Sequence, residues 1–330
     1  MSLTMPLDFG DERLRTDIES SLATIEDAIH AAIASEFPFA TSAADHLVSA
    51  GGKRFRPLLT LLAAHAGDAS AWQVVPAAVI VELTHAATLY HDDVMDEAPL
   101  RRGRESANSR WGNTVAILTG DFLFAKVSQL LADLGPEAVR IHAHTFERLC
   151  IGQINETRGP AQSMDPVDHH IKVLADKTGS LISTSLRYGA MFSGCSPEVI
   201  EALATYGERI GVAFQLADDL VDLTSDSADS GKTPGTDIRE GVPTLTTLLI
   251  QREASSADSA LLEALAGPVY DEKTVSEVLA SLRNHRQLDQ ARQIARTWSD
   301  EARASLGPLP TGPVRDALDL LCDYVVERTA

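Results

Sequence analysis

The chain is poor in the residues that build sheets and in those that bind polyanions. Aromatic residues make up only 5% of its 330 positions, and strands select aromatic and β-branched side chains, so a β-architecture is disfavoured. No stretch alternates apolar and polar residues with the period of a strand. Lys and Arg number 28 against 47 Asp and Glu, a formal net charge of −19. So negative a surface repels phosphate backbones, which excludes nucleic acid and an anionic membrane as partners of the surface as a whole. The three cysteines, Cys150, Cys195 and Cys322, are far apart and match no metal-ligand spacing. An odd count without a framework points to a reducing compartment and buried thiols. No window of ~18 uncharged apolar residues is present, so no transmembrane segment is expected. The first fifteen residues contain no apolar core of a secretory signal, which fits a cytoplasmic location. Met1–Thr4 read as a cloning remnant ahead of a native start at Met5.

What the chain does have is apolar helix former. Hydrophobic residues reach 44%, with Ala and Leu dominant, enough for a large core built from helices. Helical periodicity runs almost throughout. It marks segments over Leu14–Ile33, up to Gly51-Gly52, from Pro57 onward, Trp72–Asp96, Thr114–Leu134, Pro136–Glu156 and Ser196–Leu223. Residues 166–193 read as two helical pieces separated by Lys177-Thr178-Gly179, and helices of 10 to 20 residues follow Thr244. PLRRGRESANSRWGN and SDSADSGKTPGTDIREGVP read as loops. No break in composition divides the chain, so residues 1–330 are expected to form a single domain.

Two acidic clusters close two of the apolar helices. Asp92, Asp93 and Asp96 form DDVMD; Asp218, Asp219 and Asp222 form DDLVD. Residues four apart share a helix face, so Asp92 projects with Asp96, and Asp218 with Asp222. Carboxylates at a helix C-terminus oppose its dipole and repel one another at this spacing, so something must compensate. Taken singly, either cluster is an ordinary solvated helix end. Each, however, follows a strongly apolar run, AAVIVELTHAATLY or IGVAFQLA, which places the acids at the rim of a buried space. Sparse paired carboxylates suit magnesium, which takes one or two of them with water and substrate phosphate.

Against the acidic background the cations concentrate in four places: Lys53, Arg54 and Arg56 in GGKRFRP; Arg101, Arg102 and Arg104; Lys177; and Lys232. Any one group could be plain surface. Arg101-Arg102, five residues beyond Asp96, is the hardest to dismiss, and together the groups read as anion sites. His85 lies two turns before Asp92 on the same face; a lone histidine on an apolar helix is usually structural, and this placement argues for the site.

GGKRFRP, LYHDDVMDEAPLRRG, DKTG and GVAFQLADDLVD followed by GKTPGTDIREGVPTL occur in this order. Over roughly residues 45–250 the chain resembles the trans-type polyprenyl diphosphate synthases, in particular bacterial heptaprenyl and octaprenyl diphosphate synthases. The resemblance implies an all-α fold of the isoprenoid synthase type, a single large helical bundle around a deep central cavity, as a homodimer. It implies condensation of an allylic prenyl diphosphate with isopentenyl diphosphate. Asp92, Asp96, Asp218 and Asp222 would hold magnesium (Mg2+), three ions with substrate bound. Arg101, Lys177 and Lys232 would grip the allylic diphosphate, and Lys53, Arg56, His85 and Arg102 the isopentenyl diphosphate. Thr178 and Gln215 would line the reacting groups. With Asp92, Asp96 and Asp218, the residues Lys177 and Arg101 count as catalytic. The released diphosphate would take the proton lost at the end. Two departures stand out: Val242 occupies a position often held by lysine, and Thr246 one often held by proline.

Three other readings compete: a geranylgeranyl diphosphate synthase, a terpene cyclase, and a non-catalytic subunit of a heteromeric synthase. A cyclase would not need Lys53, Arg56 and Arg102, and a non-catalytic subunit would be expected to lose acidic motifs that this chain keeps. For product length the helix bearing Asp92 is informative. Thr88, Thr84 and Val81 lie progressively deeper near the face of Asp92, with Ala87 beside Thr88. In short-chain members a bulky aromatic at the level of Ala87 or Thr88 closes the floor. Small residues there imply a long product for quinone side chains, although small residues also simply allow close helix packing, and Phe122 or Phe124 could supply a floor. Release of such a product would involve transient membrane contact.

Overall fold

The computed structural model describes residues 10–224, 234–253 and 255–327, and within them the protein is all-α apart from one pair of two-residue strands. Lys232 and Met1–Thr4 lie outside the described residues. The chain separates into two compact units. One draws on Met1–Glu147, Leu181–Gly207 and Leu306–Leu318; the other on Arg148–Ser180, Glu208–Ser305 and Asp319–Ala330.

The first unit opens with α1 (Glu12–Ile33), capped by Asp11, whose carboxylate accepts the Leu14 N–H at 2.8 Å. Leu14, Ile18, Leu22, Ile25, Ile29 and Ile33 recur at steps of three and four, and all are buried. α2 (Pro38–Val48), α3 (Phe55–Ala64) and α4 (Val74–Met95) follow. α4 packs against α1, α3 and, most extensively, α6 (Asn113–Leu134). The unit also takes residues from α7 (Pro136–Arg158), α9 (Ser180–Phe192) and α10 (Pro197–Thr224). Its three fully buried tyrosines each donate the hydroxyl to a main-chain carbonyl: Tyr90 to Ala43 at 2.5 Å, Tyr188 to Ala138 and Tyr206 to Leu318 at 2.7 Å. A buried phenol needs such a partner.

The stretch after α4 holds more order than its composition announces. Leu100–Arg101 (β1) pairs antiparallel with Arg104–Glu105 (β2), and α5 (Ala107–Trp111) follows, capped by Ser106. Arg102 and Gly103 form the connection with φ of 51° and 73°. Positive φ at both central residues is the requirement of the tight hairpin turn. Arginine in the first of these places disguised it.

In the second unit α8 (Pro166–Leu174) leads into a π-helical turn, Ala175–Gly179, so the expected break at Lys177-Thr178-Gly179 is a widened turn in a continuing helix. The later helices are α11 (Thr236–Glu240), α12 (Leu245–Arg252), α13 (Ser259–Ala264), α14 (Glu272–Arg283) and α15 (Arg286–Ser305), several of them shorter than expected. α16 (Pro313–Glu327) ends the described chain. The unit's core gathers Leu216, Leu220 and Leu223, Leu245 and Leu249, Val275, Leu279 and Leu282, and Leu288. Thr246 occupies the second position of α12, behind a reciprocal Thr244–Thr247 cap. A helix's first turn spends no N–H there, so threonine and proline serve equally.

One expectation, that of buried thiols, needs correction, and two apolar helices bear on another without overturning it. α4 and α6 are each long and apolar enough to cross a membrane by length and composition. In α4, 67% of the apolar window is buried in the protein, marking a core helix; in α6 only 33% is. Nor are the thiols uniformly buried: Cys150 is exposed, Cys195 intermediate, and only Cys322 buried.

Arg54 is not a surface cation. It is 5% exposed, left-handed at φ 45°, and held by carboxylates from two helices. Its Nη1 donates to Glu82 of α4 at 2.8 Å, and Nε and Nη2 donate to Glu26 of α1. These carboxylates outweigh burial and hold its proton more firmly than usual. Removing one side of a buried pair costs about 3–5 kcal/mol, because the other charge is stranded. Arg54→Ala should therefore lower the unfolding free energy by about that amount in a urea titration. A loss below ~1 kcal/mol, the scale of an exposed pair, would show that the ion pair is not buried in solution.

Candidate active site

α4 divides its circumference among three tasks. Glu82 faces Arg54. His91 faces α6, where its Nε2 meets the Ile117 carbonyl at 3.1 Å. Between them His85, Thr88, Leu89 and Asp92 form a half-buried stripe at helical spacing. Ala87, Thr84 and Val81 are fully buried. The Thr84 hydroxyl donates to the Ile80 carbonyl at 2.7 Å, and that of Thr88 to the His85 carbonyl at 2.8 Å. Tyr90 points away from the stripe, into α2.

The cations expected to bind isopentenyl diphosphate meet at this stripe. Arg56 is half-buried, and its Nε has no hydrogen-bond partner in the structure. Burial lowers its guanidinium to about 10, with Arg102 adding to the effect and Glu82 opposing it. Arg102 donates to the carbonyls of Leu47, at 3.2 Å, and Gly51. A Cβ on Gly52 would sit 3.1 Å from the Arg102 guanidinium, so this position needs glycine for the approach as well as for its φ of 152°. Burial, and then the charges of Arg56, Arg102, Arg101 and Arg54, push His85 well below its usual pKa. Lys53 is exposed beside them. Cations crowded with so little local compensation form a ready receptor for a polyanion.

Asp92 is half-buried and Asp96 exposed at the end of α4. The middle aspartate, Asp93, has a different role. It is 1% exposed and accepts from Arg101 Nε at 2.6 Å, while burial raises its pKa. The second acidic motif repeats the division within its own unit. Asp219, raised in pKa mainly by burial, accepts from Gln215 Nε2 at 3.3 Å and lies 3.5 Å from His170 Nε2. Asp218 is half-buried on α10. Asp222 receives the N–H groups of Thr236 and Asp237, each at 3.2 Å. In both motifs the second aspartate is turned about 100° from the first, and that angle was the available signal that its partner is protein.

Lys177 and Thr178 are half-buried in the π-helical turn, and Lys177 Nζ donates to Glu156 of α7. Val242 is 44% exposed, its N–H bonded to the Asp237 carbonyl at 2.8 Å.

No three His, Cys, Asp or Glu side chains among the described residues form a metal-binding group. Carboxylates offered in ones and twos at helix ends are nonetheless the donor set that magnesium accepts alongside phosphate oxygens and water, so the residues fit that ion.

A family profile described as polyprenyl synthetase matches residues 38–282. The chain is 47% identical over 326 residues to the nonaprenyl diphosphate synthase of Mycobacterium tuberculosis, covering 98% of this chain and 96% of that one. A crystal structure of geranylgeranyl pyrophosphate synthase from Corynebacterium glutamicum, complexed with calcium and isoprenyl diphosphate, is similar with a TM-score of 0.89 at 42% identity, covering 98% of this chain and 99% of that one. A decaprenyl diphosphate synthase from Rhodobacter capsulatus has a TM-score of 0.87 at 35% identity, covering 97% and 99%.

The depressed pKa of His85 gives a test of the cation cluster. Below its ordinary value of 6.5 the unfolded chain takes up a proton that the folded site refuses, so stability falls as pH drops from there toward the folded pKa. One such proton contributes at most about 1.4 kcal/mol per pH unit. Urea midpoints of the parent should fall more steeply between pH 7 and pH 5 than those of His85→Gln. Parallel pH dependences would show that His85 is not buried beside these cations.

Proposed function

The chain belongs to the polyprenyl synthetase family, and from that premise we propose that it extends an allylic diphosphate with isopentenyl diphosphate to a long product, in the C30–C50 range, for quinone side chains. It is a prenyltransferase. The observation that carries the site assignment is that His85, on the same stripe of α4 as Asp92, has Arg56 and Arg102 close enough to act on its charge.

In this reading Lys53, Arg56, His85 and Arg102 hold the isopentenyl diphosphate. Arg101, anchored through Nε on Asp93, grips the allylic diphosphate together with Lys177 and Lys232. Magnesium held by Asp92 and Asp96, and by Asp218 with Asp222 in support, would supply Lewis-acid neutralisation of the leaving diphosphate when bound. The allylic carbon–oxygen bond breaks and its electron pair leaves with the diphosphate. The double bond of isopentenyl diphosphate then attacks the allylic cation, and a proton is lost to the released diphosphate. Gln215 and Thr178 line the reacting groups. The protein contributes positioning, fixed charge and exclusion of water.

The long-chain assignment draws support from the M. tuberculosis relative, named for a nonaprenyl product, and from the absence of any aromatic residue between Trp72 and Tyr90 on α4. The C. glutamicum structure favours a second reading, a geranylgeranyl product; chromatography of products made from labelled isopentenyl diphosphate separates the two. We further propose that residues 1–330 work as one polyprenyl synthase domain in a cytoplasmic homodimer that meets the membrane transiently as product leaves. Ile117 and Leu118, 42% and 60% exposed on α6, support the dimer, because a second copy would cover them.

Asp92→Asn and Asp218→Asn should each cut turnover by at least ~10²-fold, the scale of one preorganised electrostatic group. Circular dichroism should remain that of the parent, since each change relieves like-charge repulsion. Excess chelator should stop the parent enzyme, and added magnesium should restore it. Near-normal turnover in both variants, or in chelator, sinks the assignment.

Thr88→Phe should fill the stripe of α4 and shift products to C15–C20 while leaving the first condensation intact. An unchanged product distribution would place the floor elsewhere.

A further inference from the structure

The π-helical turn that carries Lys177 and Thr178 is held by a single arginine. Arg148 of α7 donates through Nε to Asp176 Oδ1 at 2.8 Å and through Nη2 to the Ala175 carbonyl at 3.3 Å. Its Nη1 and Nη2 donate to the two carboxylate oxygens of Glu208 on α10, at 2.9 and 3.1 Å. Asp176 is 4% exposed and also receives Lys172 Nζ at 2.9 Å. The guanidinium thus grips the first two residues of the turn by backbone and side chain, and ties them to a neighbouring helix. All these groups lie in the second unit.

Two more contacts show that the turn is built to a fixed position. Ser180 N–H donates to the Ala175 carbonyl, the five-residue step that defines the widened turn, and its hydroxyl donates to the Asp176 carbonyl at 2.6 Å. On α7, a Cβ at Gly152 would come within 3.0 Å of the Lys177 amide nitrogen and of Asp176 Cβ. Glycine there lets the turn lie directly on the helix that supplies Arg148. A π-helical turn has more residues per turn than an α-helix, so successive side chains diverge less, and such turns concentrate at functional sites. Here the two successive side chains are Lys177 and Thr178.

We propose that Arg148 is a positioning residue for the allylic diphosphate: by fixing Ala175 and Asp176 it sets where Lys177 and Thr178 present themselves. This rests on the reading of Lys177 as a ligand of that diphosphate. Glu208 and Lys172 take part in the same network, but only Arg148 touches both the carbonyl and the side chain of the turn. A displacement of about 1 Å in a positioning group is enough to cost an enzyme a large factor.

The test compares Arg148→Met, Lys177→Ala and the double variant by steady-state kinetics with each substrate varied in turn, at a temperature where circular dichroism shows all three folded. The expected result for Arg148→Met is a tenfold or greater rise in KM for the allylic diphosphate, with KM for isopentenyl diphosphate within twofold of the parent. In the Lys177→Ala background the same change should add less than twofold, because its effect passes through that lysine. Hydrogen exchange at the amides of residues 177–180 should quicken in Arg148→Met. A merely structural arginine would lower thermal stability and leave the allylic KM unchanged, and that outcome overturns the proposal. So does a full tenfold effect in the Lys177→Ala background. An unchanged allylic KM in Lys177→Ala itself sinks the assignment of Lys177; a raised KM there with a normal one in Arg148→Met sinks only the role of Arg148. If Arg148→Met does not fold, Arg148→Met/Asp176→Asn, which removes the buried carboxylate charge together with its half-buried partner, is measured in its place: a raised allylic KM supports the role of Arg148, and an unchanged one overturns it.

Discussion

A guanidinium inside the first unit organises what surrounds it. Arg54 is left-handed, almost inaccessible and shared between Glu26 of α1 and Glu82 of α4. A charge this deep is tolerated only when paired and fully hydrogen-bonded, so the GGKRFRP turn cannot drift from the two helices. Its neighbours inherit that fixity. Lys53 stays exposed, while Arg56 turns inward with an unpartnered Nε. Within a few residues the chain holds one cation that is neutralised and another kept available. Arg102, positioned by the Leu47 and Gly51 carbonyls, closes the cluster from the hairpin.

The helical elements and both acidic motifs were legible because they are periodic or local. Steps of three and four gave α1, α4 and α10, and four-residue spacing gave the carboxylate pairs. The division of labour among neighbouring like residues was not legible. Arg54 and Arg56 look alike in sequence; what separates them is the reach of Glu26 and Glu82, each 28 residues from Arg54. Asp93 and Asp219 stand off the shared face of their motifs, but which groups hold them emerges only when Arg101, Gln215 and His170 are placed around them. Arg148 sits in a helical stretch that gives no hint of the turn it grips, 27 to 28 residues further on. The strand pair was missed for a different reason: its turn uses arginine where asparagine or aspartate is usual.

The same economy appears in the two acidic motifs. In each, the first aspartate is half-buried, and the second is consumed by protein. The inner carboxylate of the first motif anchors Arg101 and thereby aims it. The inner carboxylate of the second ties α10 to His170 of α8. A motif of three acids is thus not uniform, since its inner carboxylate serves the scaffold around it.

The three-sided use of α4 limits how the protein can change. Its Glu82 and Asp93 side is committed to ion pairs, and its His91 side to close packing on α6, where a Cβ on Gly120 would fall 2.3 Å from the His91 ring. Of the half-buried stripe, His85 sits among the cations and Asp92 belongs to the acidic motif. That leaves Thr88 and Leu89 as positions where volume can vary without disturbing charge or packing. Divergence of product length among relatives of this chain, and any attempt to engineer it, would then be channelled through two side chains on a helix of 22 residues.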